Sequence, residues 1–113
     1  MNIIAILLVI ISVLIIALPV YFLYKPAKKI NGLYGYRTPR SMENQKNWDA
    51  AQEYFPRMLL KLSILTIAAM VLLYLLFSML IALFIGLGIW VICLFSTIFL
   101  TEIYLKAKEK EFK

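Results

Sequence analysis

LSILTIAAMVLLYLLFSMLIALFIGLGIWVICLFSTIFLT, residues 62–101, is the stretch of sequence that decides the fold. These 40 residues contain no Asp, Glu, Lys or Arg. As a single helix they would extend about 60 Å, which is twice the roughly 30 Å thickness of the hydrocarbon core of a bilayer. The stretch is therefore predicted to cross a membrane twice and to turn back in between.

The best position for the turn is Phe77, Ser78 and Met79, because these residues divide the stretch most evenly. They leave one predicted helix over about 58–76 and another over about 80–105. Gly86 and Gly88 offer an alternative turn, but it would leave one helix too long and the other too short. We interpret these glycines as packing positions that let a neighbouring helix approach closely, and dimerisation through them is left open.

Upstream, residues 2–24 form another charge-free segment, long enough to cross the bilayer with some tilt. Pro19 is expected to bend this helix near its end, and Tyr21 and Tyr24 to lie at the headgroup level. The alternative is a signal peptide, but no basic residue precedes the apolar run and no small-residue cleavage pattern follows it. The prediction is an all-α membrane protein with three transmembrane helices in a single domain, 1–113.

Composition narrows the chemistry that this chain can carry. Hydrophobic residues make up 64% and charged residues 16% of the 113 residues, which is typical of an integral membrane protein. With no His and only Cys93, neither a metal site nor an intrachain disulfide is expected, and no cofactor motif is present. An enzyme is not expected, because the acids Glu43, Asp49 and Glu53 lie on a surface helix without a nucleophile nearby.

The charges predict the orientation. Residues 25–61 carry eight Lys or Arg residues, and the tail 106–113 adds four lysines, whereas the N-terminus and the turn at 77–79 carry none. The positive-inside rule then places the N-terminus outside the cell, with the loop 25–56 and the tail in the cytoplasm. The net charge of +6 is explained by this topology and by anionic lipid headgroups at the basic loop, so no direct contact with nucleic acid is expected.

The loop is predicted to be structured. Thr38 followed by Pro39 is a helix-start signal, with Ser41 as a second candidate cap, and Pro56 is expected to stop the helix after Phe55. The result would be a short cytoplasmic helix.

This short helix is predicted to be amphipathic. Trp48, Ala51 and Phe55 fall on one face, one turn after Asn44. We expect it to lie along the membrane surface or under the bundle.

The loop sequence NGLYGYRTPRSMENQKNWDAAQEYF, residues 31–55, resembles the signature of the SdpI family of bacterial membrane proteins. The matching segment is YGYRTPRSM at 34–42, and the matching residues after it are Asn44 or Asn47, Trp48, and the pair Ala51 and Gln52. The family is named for an immunity protein that protects sporulating cells against the sporulation-delaying toxin of their siblings. The resemblance implies a short three-helix member of this family.

Two roles follow from the resemblance: immunity to an exported peptide toxin, and signal transduction in which a cytoplasmic repressor is held at the membrane. In either role the motif would be the face that reads or transmits binding, without catalysis. The motif residues implied in this way are Tyr34, Gly35, Tyr36, Arg37, Thr38, Pro39, Arg40, Ser41, Asn44, Asn47, Trp48 and Gln52.

Two other interpretations of the motif remain open. Arginines and aromatic residues at a membrane boundary are also typical of a lipid-facing anchor. Alternatively, the motif defines the fold, with its arginines bonded to helix ends or paired with Glu102. That glutamate could equally form an i, i+4 pair with Lys106.

The alternative function is a small transporter or a lipid-binding membrane subunit, acting as an oligomer. Proton-coupled exporters of this length carry an ionisable group deep in a helix, whereas the first two helices here offer only Asn2, Ser12, Ser63 and Thr66. Deep polar groups lining a shared pore would favour transport, and a buried, mutually bonded motif would favour a structural core.

Overall fold

Three α-helices make up the computed structural model, which describes residues 2–112, with the side chains of 2–111. The helices are α1 (Ile3–Tyr24), α2 (Gln45–Leu76) and α3 (Met79–Phe112). Each is long and apolar enough to cross a membrane. The fold class predicted from the sequence, an all-α membrane protein with three spanning helices, is confirmed.

The turn between α2 and α3 lies where the sequence predicts it. The Phe77 N–H donates to the Leu73 carbonyl at 2.9 Å, which ends α2, and Ser78 caps α3 by accepting from the Ile81 N–H at 3.2 Å. Only two residues separate the helices, so α2 and α3 form a tight antiparallel hairpin. Gly86, one of the alternative turn residues, lies inside α3.

The hairpin is longer than the bilayer is thick. With 32 and 34 residues, α2 and α3 extend about 48 and 51 Å, against roughly 30 Å of hydrocarbon. One end of the hairpin therefore extends about 18 Å or more beyond the hydrocarbon core. The loop 25–44 folds against this projecting end.

The predicted short helix is wrong in both its bounds and its independence. α2 begins at Gln45, capped by Asn44, whose Oδ1 accepts from the Asn47 N–H at 2.8 Å, and it continues through Pro56 without a break. Residues 45–55 are thus the first turns of a spanning helix and not a separate surface helix. Trp48 and Ala51 are fully buried, and this packing outweighs the lost backbone hydrogen bond at Pro56.

The helix-start signal at Thr38 and Pro39 produces one turn and no more. The Met42 N–H donates to the Thr38 carbonyl at 3.0 Å, and the Ser41 N–H donates to Thr38 Oγ1 at 3.1 Å. Thr38 therefore caps a turn, as its residue type favours. The chain then leaves the helical path before Asn44.

Polar side chains inside the hairpin are bonded locally. Thr66, Thr97 and Thr101 each donate a hydrogen bond to the carbonyl four residues earlier, at 2.7–2.9 Å. The Trp90 indole N–H donates to Ser63 Oγ across the helix pair at 3.0 Å. These bonds satisfy hydroxyl groups in a region without water and tie α2 to α3.

Gly86 is a close-packing position between α2 and α3. A Cβ atom added there would lie 2.4 Å from Cγ of the buried Met70, whereas a Cβ at Gly88 would meet nothing within 4 Å. The predicted packing role thus holds for Gly86, whose neighbour is a side chain of the same protein, and not for Gly88.

Substituting these two glycines should separate packing from helix propensity. Alanine gains about 0.5–1 kcal/mol over glycine in a helix, but overpacking a tight contact costs about 1–3 kcal/mol. We expect Gly86→Ala to lower the free energy of unfolding in detergent and the matched control Gly88→Ala to leave it unchanged or raise it. Equal effects at the two positions would contradict the packing assignment.

Candidate functional site

The candidate site is the polar cap, defined as the loop 25–44 together with residues 45–57 of α2 and 98–111 of α3. All of the motif residues predicted from the sequence lie in it. The structure also shows why they fold there, since most of them bond to one another or to a helix end.

Gln52 holds the centre of the loop. Its side-chain amide accepts from the Tyr36 N–H at 2.8 Å and donates to the Tyr36 carbonyl at 2.7 Å, so that one side chain satisfies both backbone groups. Gln52 is only 8% exposed. Unpaired backbone groups buried at this place would each cost about 1–3 kcal/mol, so these two bonds fix the path of the loop.

Gly35 is required immediately before Tyr36. Its φ is +102°, a conformation that residues with a side chain rarely adopt. A Cβ atom would also lie 2.6 Å from Gln52 Oε1 and 3.1 Å from Ala27 Cβ. Both conformation and space therefore select glycine at this position.

Thr38 and Ser41 close the turn that follows. The Thr38 N–H donates to Ser41 Oγ at 2.8 Å, and the Ser41 N–H donates back to Thr38 Oγ1. Ser41 is fully buried, and its hydroxyl lies 3.2 Å from the Tyr36 carbonyl. The turn places Pro39 at the surface and points Arg40 toward α3.

Arg40 joins the loop to α3. Its Nε lies 3.4 Å from a Glu102 carboxylate oxygen, and one of its terminal nitrogens donates to Glu109 at 2.8 Å. The Asn47 amide nitrogen donates to the other Glu109 oxygen at 3.0 Å and to the Arg40 carbonyl at 2.9 Å. One guanidinium thus bridges two carboxylates, and Arg40, rather than Lys106, is the partner of Glu102.

Tyr36 makes a second link to Glu102. Its hydroxyl donates to the Glu102 carboxylate at 2.6 Å and lies 3.3 Å from the Ile98 carbonyl. The ring packs on Phe55 with centroids 4.7 Å apart. Burial of the phenol, followed by its bond to the negative carboxylate, raises the pKa of Tyr36 well above its usual value near 10.

Two aromatic residues of the motif, Trp48 and Tyr34, hold the start of the loop. The Trp48 indole N–H donates to the Ala27 carbonyl at 2.7 Å, and the whole side chain is buried. Tyr34 packs against Tyr21 and Phe22, with centroids 6.1 and 5.1 Å away, and its hydroxyl donates to the Lys25 carbonyl. These contacts hold the start of the loop against the end of α1.

Arg37 is different from the other motif residues. Its side chain is exposed and donates to the Gly32 carbonyl within the loop, without an acidic partner among the described residues. Lys25, Lys28 and Lys29 lie in the same loop segment. These four residues are the exposed cations of the loop, and further exposed cations of the cap lie on α2 and α3.

Sequence reasoning missed Glu109 and Ala27. Glu109 was part of a tail that appeared simply basic, although it lies seven residues, or two helical turns, after Glu102 and so on the same face of α3. That spacing could have revealed it. Ala27 contributes a backbone carbonyl and a small side chain, for which no local signal exists.

Comparisons with known proteins agree with this geometry. A sequence model of the SdpI/YfhL protein family matches residues 28–103, which is well over half of the chain. This chain belongs to the SdpI/YfhL family. The matched part covers most of the loop and of the α2–α3 hairpin, and it leaves out all of α1 and the end of α3.

One curated relative is the uncharacterized protein YfhL of Bacillus subtilis (strain 168). It is 49% identical over 45 residues, which are 40% of this chain and 40% of that protein. The aligned part thus covers well under half of the relative's length. No solved structure matches the chain.

Alanine at Gly35 should disrupt the cap of this SdpI/YfhL protein. The change forces a strained φ and displaces the Gln52 amide, so we expect the free energy of unfolding to fall by about 2 kcal/mol or more. Gly32→Ala is the matched control, because nothing lies within 4 Å of an added Cβ there. Thermal unfolding in detergent measures both, and an equally stable Gly35→Ala protein would contradict the assignment.

The raised pKa of Tyr36 predicts that the folded protein loses stability at high pH. Because folding raises its pKa, the neutral phenol contributes its full stabilisation below about pH 10, and the contribution is lost as the pH rises through the folded-state value. Between pH 9 and 12 the free energy of unfolding of wild type should fall more steeply than that of Tyr36→Phe. Parallel pH curves for the two proteins would show that Tyr36 is not the responsible group.

Proposed function

We propose that this protein acts in immunity to an exported peptide toxin, or in the signalling that accompanies it, by binding and without catalysis. The observation that carries the proposal is the link between the motif and α3. Tyr36 and Arg40 of the family motif both bond Glu102, at 2.6 and 3.4 Å, on a helix that also crosses the membrane. Any ligand that shifts α3 must then act on the loop.

A binding surface for such a ligand exists at the other contact of α3. An apolar crevice of about 470 Å³ lies between α1 and α3. It is lined by Leu87 and Trp90 of α3 and by six residues of α1, namely Ile11, Leu14, Ile15, Ala17, Leu18 and Tyr21. An apolar peptide segment can fill it by burying hydrophobic and aromatic surface. A toxin held in this way would be trapped within the membrane.

A shift of α3 caused by the bound toxin would be transmitted to the polar cap. Thr38, Pro39, Arg40, Glu43, Ile98 and Glu102 line a shallow groove there of about 630 Å³. The groove contains Arg40 and Glu102, whose contact connects the loop to α3. A displacement of α3 would therefore alter the shape and charge of the groove. We propose this groove as the contact for a cytoplasmic repressor.

The proposed orientation puts the polar cap in the cytoplasm and the N-terminus and the turn at 77–78 outside. It rests on the positive-inside rule, since the basic residues lie in the loop and at the end of α3. Further support comes from the salt bridges between Arg40 and α3, which place both segments on the same side.

Reporter fusions test this orientation. A C-terminal fusion to a phosphatase that is active only outside the cytoplasm should be inactive, and the same reporter inserted at Phe77 should be active. The reverse pattern would overturn the proposed orientation while leaving the fold intact.

The function is tested by survival of a sensitive bacterium exposed to the sporulation-delaying peptide toxin. Wild type should protect, and Ala17→Trp should abolish protection at unchanged membrane abundance, because it fills the crevice. Val13→Trp is the matched control, since Val13 is exposed on α1 but does not line the crevice. Protection by Ala17→Trp equal to wild type would contradict the crevice as the binding surface.

The two arginines give the second arm of the same experiment. Arg40→Ala leaves Glu102 and Glu109 without their cation, so protection and abundance should fall together. Arg37→Ala should keep its abundance, because Arg37 bonds only a loop carbonyl. Loss of protection with Arg37→Ala at full abundance would make the exposed loop a contact surface as well.

A lipid-binding membrane subunit or small transporter is the second candidate. The crevice supports this function because its apolar lining also suits a lipid acyl chain. Absence of protection by wild type, together with lipid held in the crevice, would select this function over immunity.

A further inference from the structure

A third cavity lies where the end of α1 meets the polar cap, shares no lining residue with the groove at Arg40, and is not used by the proposed function. Its volume is about 300 Å³, the lower end of the range for small-molecule sites. One wall is formed by residues 22–28, where α1 ends, and the other by a face of α2 that carries Asp49, Glu53 and Arg57. The Gln52 amide, already committed to Tyr36, forms its floor.

The end of the cavity at Arg57 lies at headgroup depth, and Asp49 lies about 12 Å farther out along α2. Phe22 and Leu23 end the apolar run of α1, and Arg57 precedes Leu62, the first residue of the charge-free stretch, by five positions. Five helical residues correspond to about 7.5 Å, which matches the thickness of about 5–7 Å of the polar layer on each side of a bilayer. A lipid headgroup can therefore reach the cavity while its glycerol and chains contact the apolar wall at Phe22 and Leu23.

The charges lining the cavity are balanced. Lys28 and Arg57 supply two cations, and Asp49 and Glu53 supply two carboxylates. Only part of this capacity is used internally: Glu53 pairs with Arg57 at 3.3 Å, and Asp49 accepts one hydrogen bond from Gln45 at 2.7 Å. Among the described residues Lys28 has no ion-pair partner.

We propose that this cavity binds a phosphoethanolamine headgroup, supplied by phosphatidylethanolamine. Lys28 and Arg57 would contact the phosphate, and Asp49 and Glu53 the primary ammonium. A phosphate accepts hydrogen bonds from both cations, and an ammonium group has three N–H donors for the carboxylates.

The same groups discriminate against other lipids. A purely anionic headgroup would meet two carboxylates with no cation of its own to pair with them, which costs affinity. A quaternary choline has no N–H to donate, and it is bound best by a cage of aromatic rings, whereas Phe22 is the one aromatic residue in the cavity lining. A primary amine next to a phosphate fits the set best.

Lipid retention by the purified full-length protein tests the proposal. The protein in detergent is offered an equal mixture of phosphatidylethanolamine, phosphatidylglycerol and phosphatidylcholine with identical acyl chains, and bound lipid is counted by native mass spectrometry. We expect phosphatidylethanolamine to be retained preferentially. Lys28→Gln and Asp49→Asn should each weaken its apparent affinity by roughly threefold to tenfold.

Matched controls are available on the same loop and helix. Lys29→Gln and Glu43→Gln remove charges of the same kind outside the cavity lining, and both should retain lipid as wild type does. Lys28 and Asp49 are themselves exposed, so their variants should keep the helical content and thermal stability of wild type. Asp49→Lys provides a gain-of-function arm, because it should shift the preference toward phosphatidylglycerol.

The outcomes are distinct. Equal or tighter retention of phosphatidylglycerol by wild type, or an unchanged preference in Lys28→Gln and Asp49→Asn, would overturn the site. Displacement of the lipid by soluble phosphoethanolamine at an equal concentration would overturn the lipid as the source, because the apolar wall would then contribute nothing. None of these results depends on whether the protein confers immunity.

Discussion

The polar cap depends on the pair of hydrogen bonds between the Gln52 side chain and the backbone of Tyr36. A loop that leaves a membrane helix and returns to the next has no sheet or helix to satisfy its N–H and carbonyl groups. One amide side chain does so here, and it can because Gly35 lets the backbone pass without a Cβ. Once the backbone of Tyr36 is fixed, its ring packs on Phe55 and its hydroxyl bonds Glu102. The turn at Thr38 then directs Arg40 toward its partners on α3.

The family motif is therefore mainly a set of structural contacts. Tyr34 packs the loop against α1, and Trp48 bonds it to α2. The glutamine and serine of the motif hold the backbone, and Arg40 ties the loop to α3. Of the charged motif residues, only Arg37 is left to face outward. A short polar motif in an otherwise aliphatic chain is what such a set of mutual constraints produces, because the contacts of each residue depend on several others.

The sequence predicted the helices and their turn because a charge-free run has only one physical use at this length, and because 40 residues cannot cross a bilayer once. It also offered Glu102 as a partner for the motif arginines, with an i, i+4 pair to Lys106 as the equal alternative, and the structure selects Arg40. It failed at the start of α2, where local capping chemistry at Thr38 competes with tertiary packing of Trp48 and Ala51, and packing wins. It failed at Glu109 too, because charge counts over a tail conceal which face of a helix each residue occupies.

The two-residue link between α2 and α3 has a consequence for biogenesis. Arg40 and its partner Glu109 are 69 positions apart, and the whole hairpin lies between them. During synthesis the loop leaves the ribosome before α3. The Arg40 guanidinium and the Asn47 amide therefore lack the Glu109 carboxylate until the last residues of α3 have been made. This bond can therefore close only after both helices of the hairpin have been made and packed in register. A chain that ends before Glu109 leaves one end of the Arg40 guanidinium and the Asn47 amide without this carboxylate.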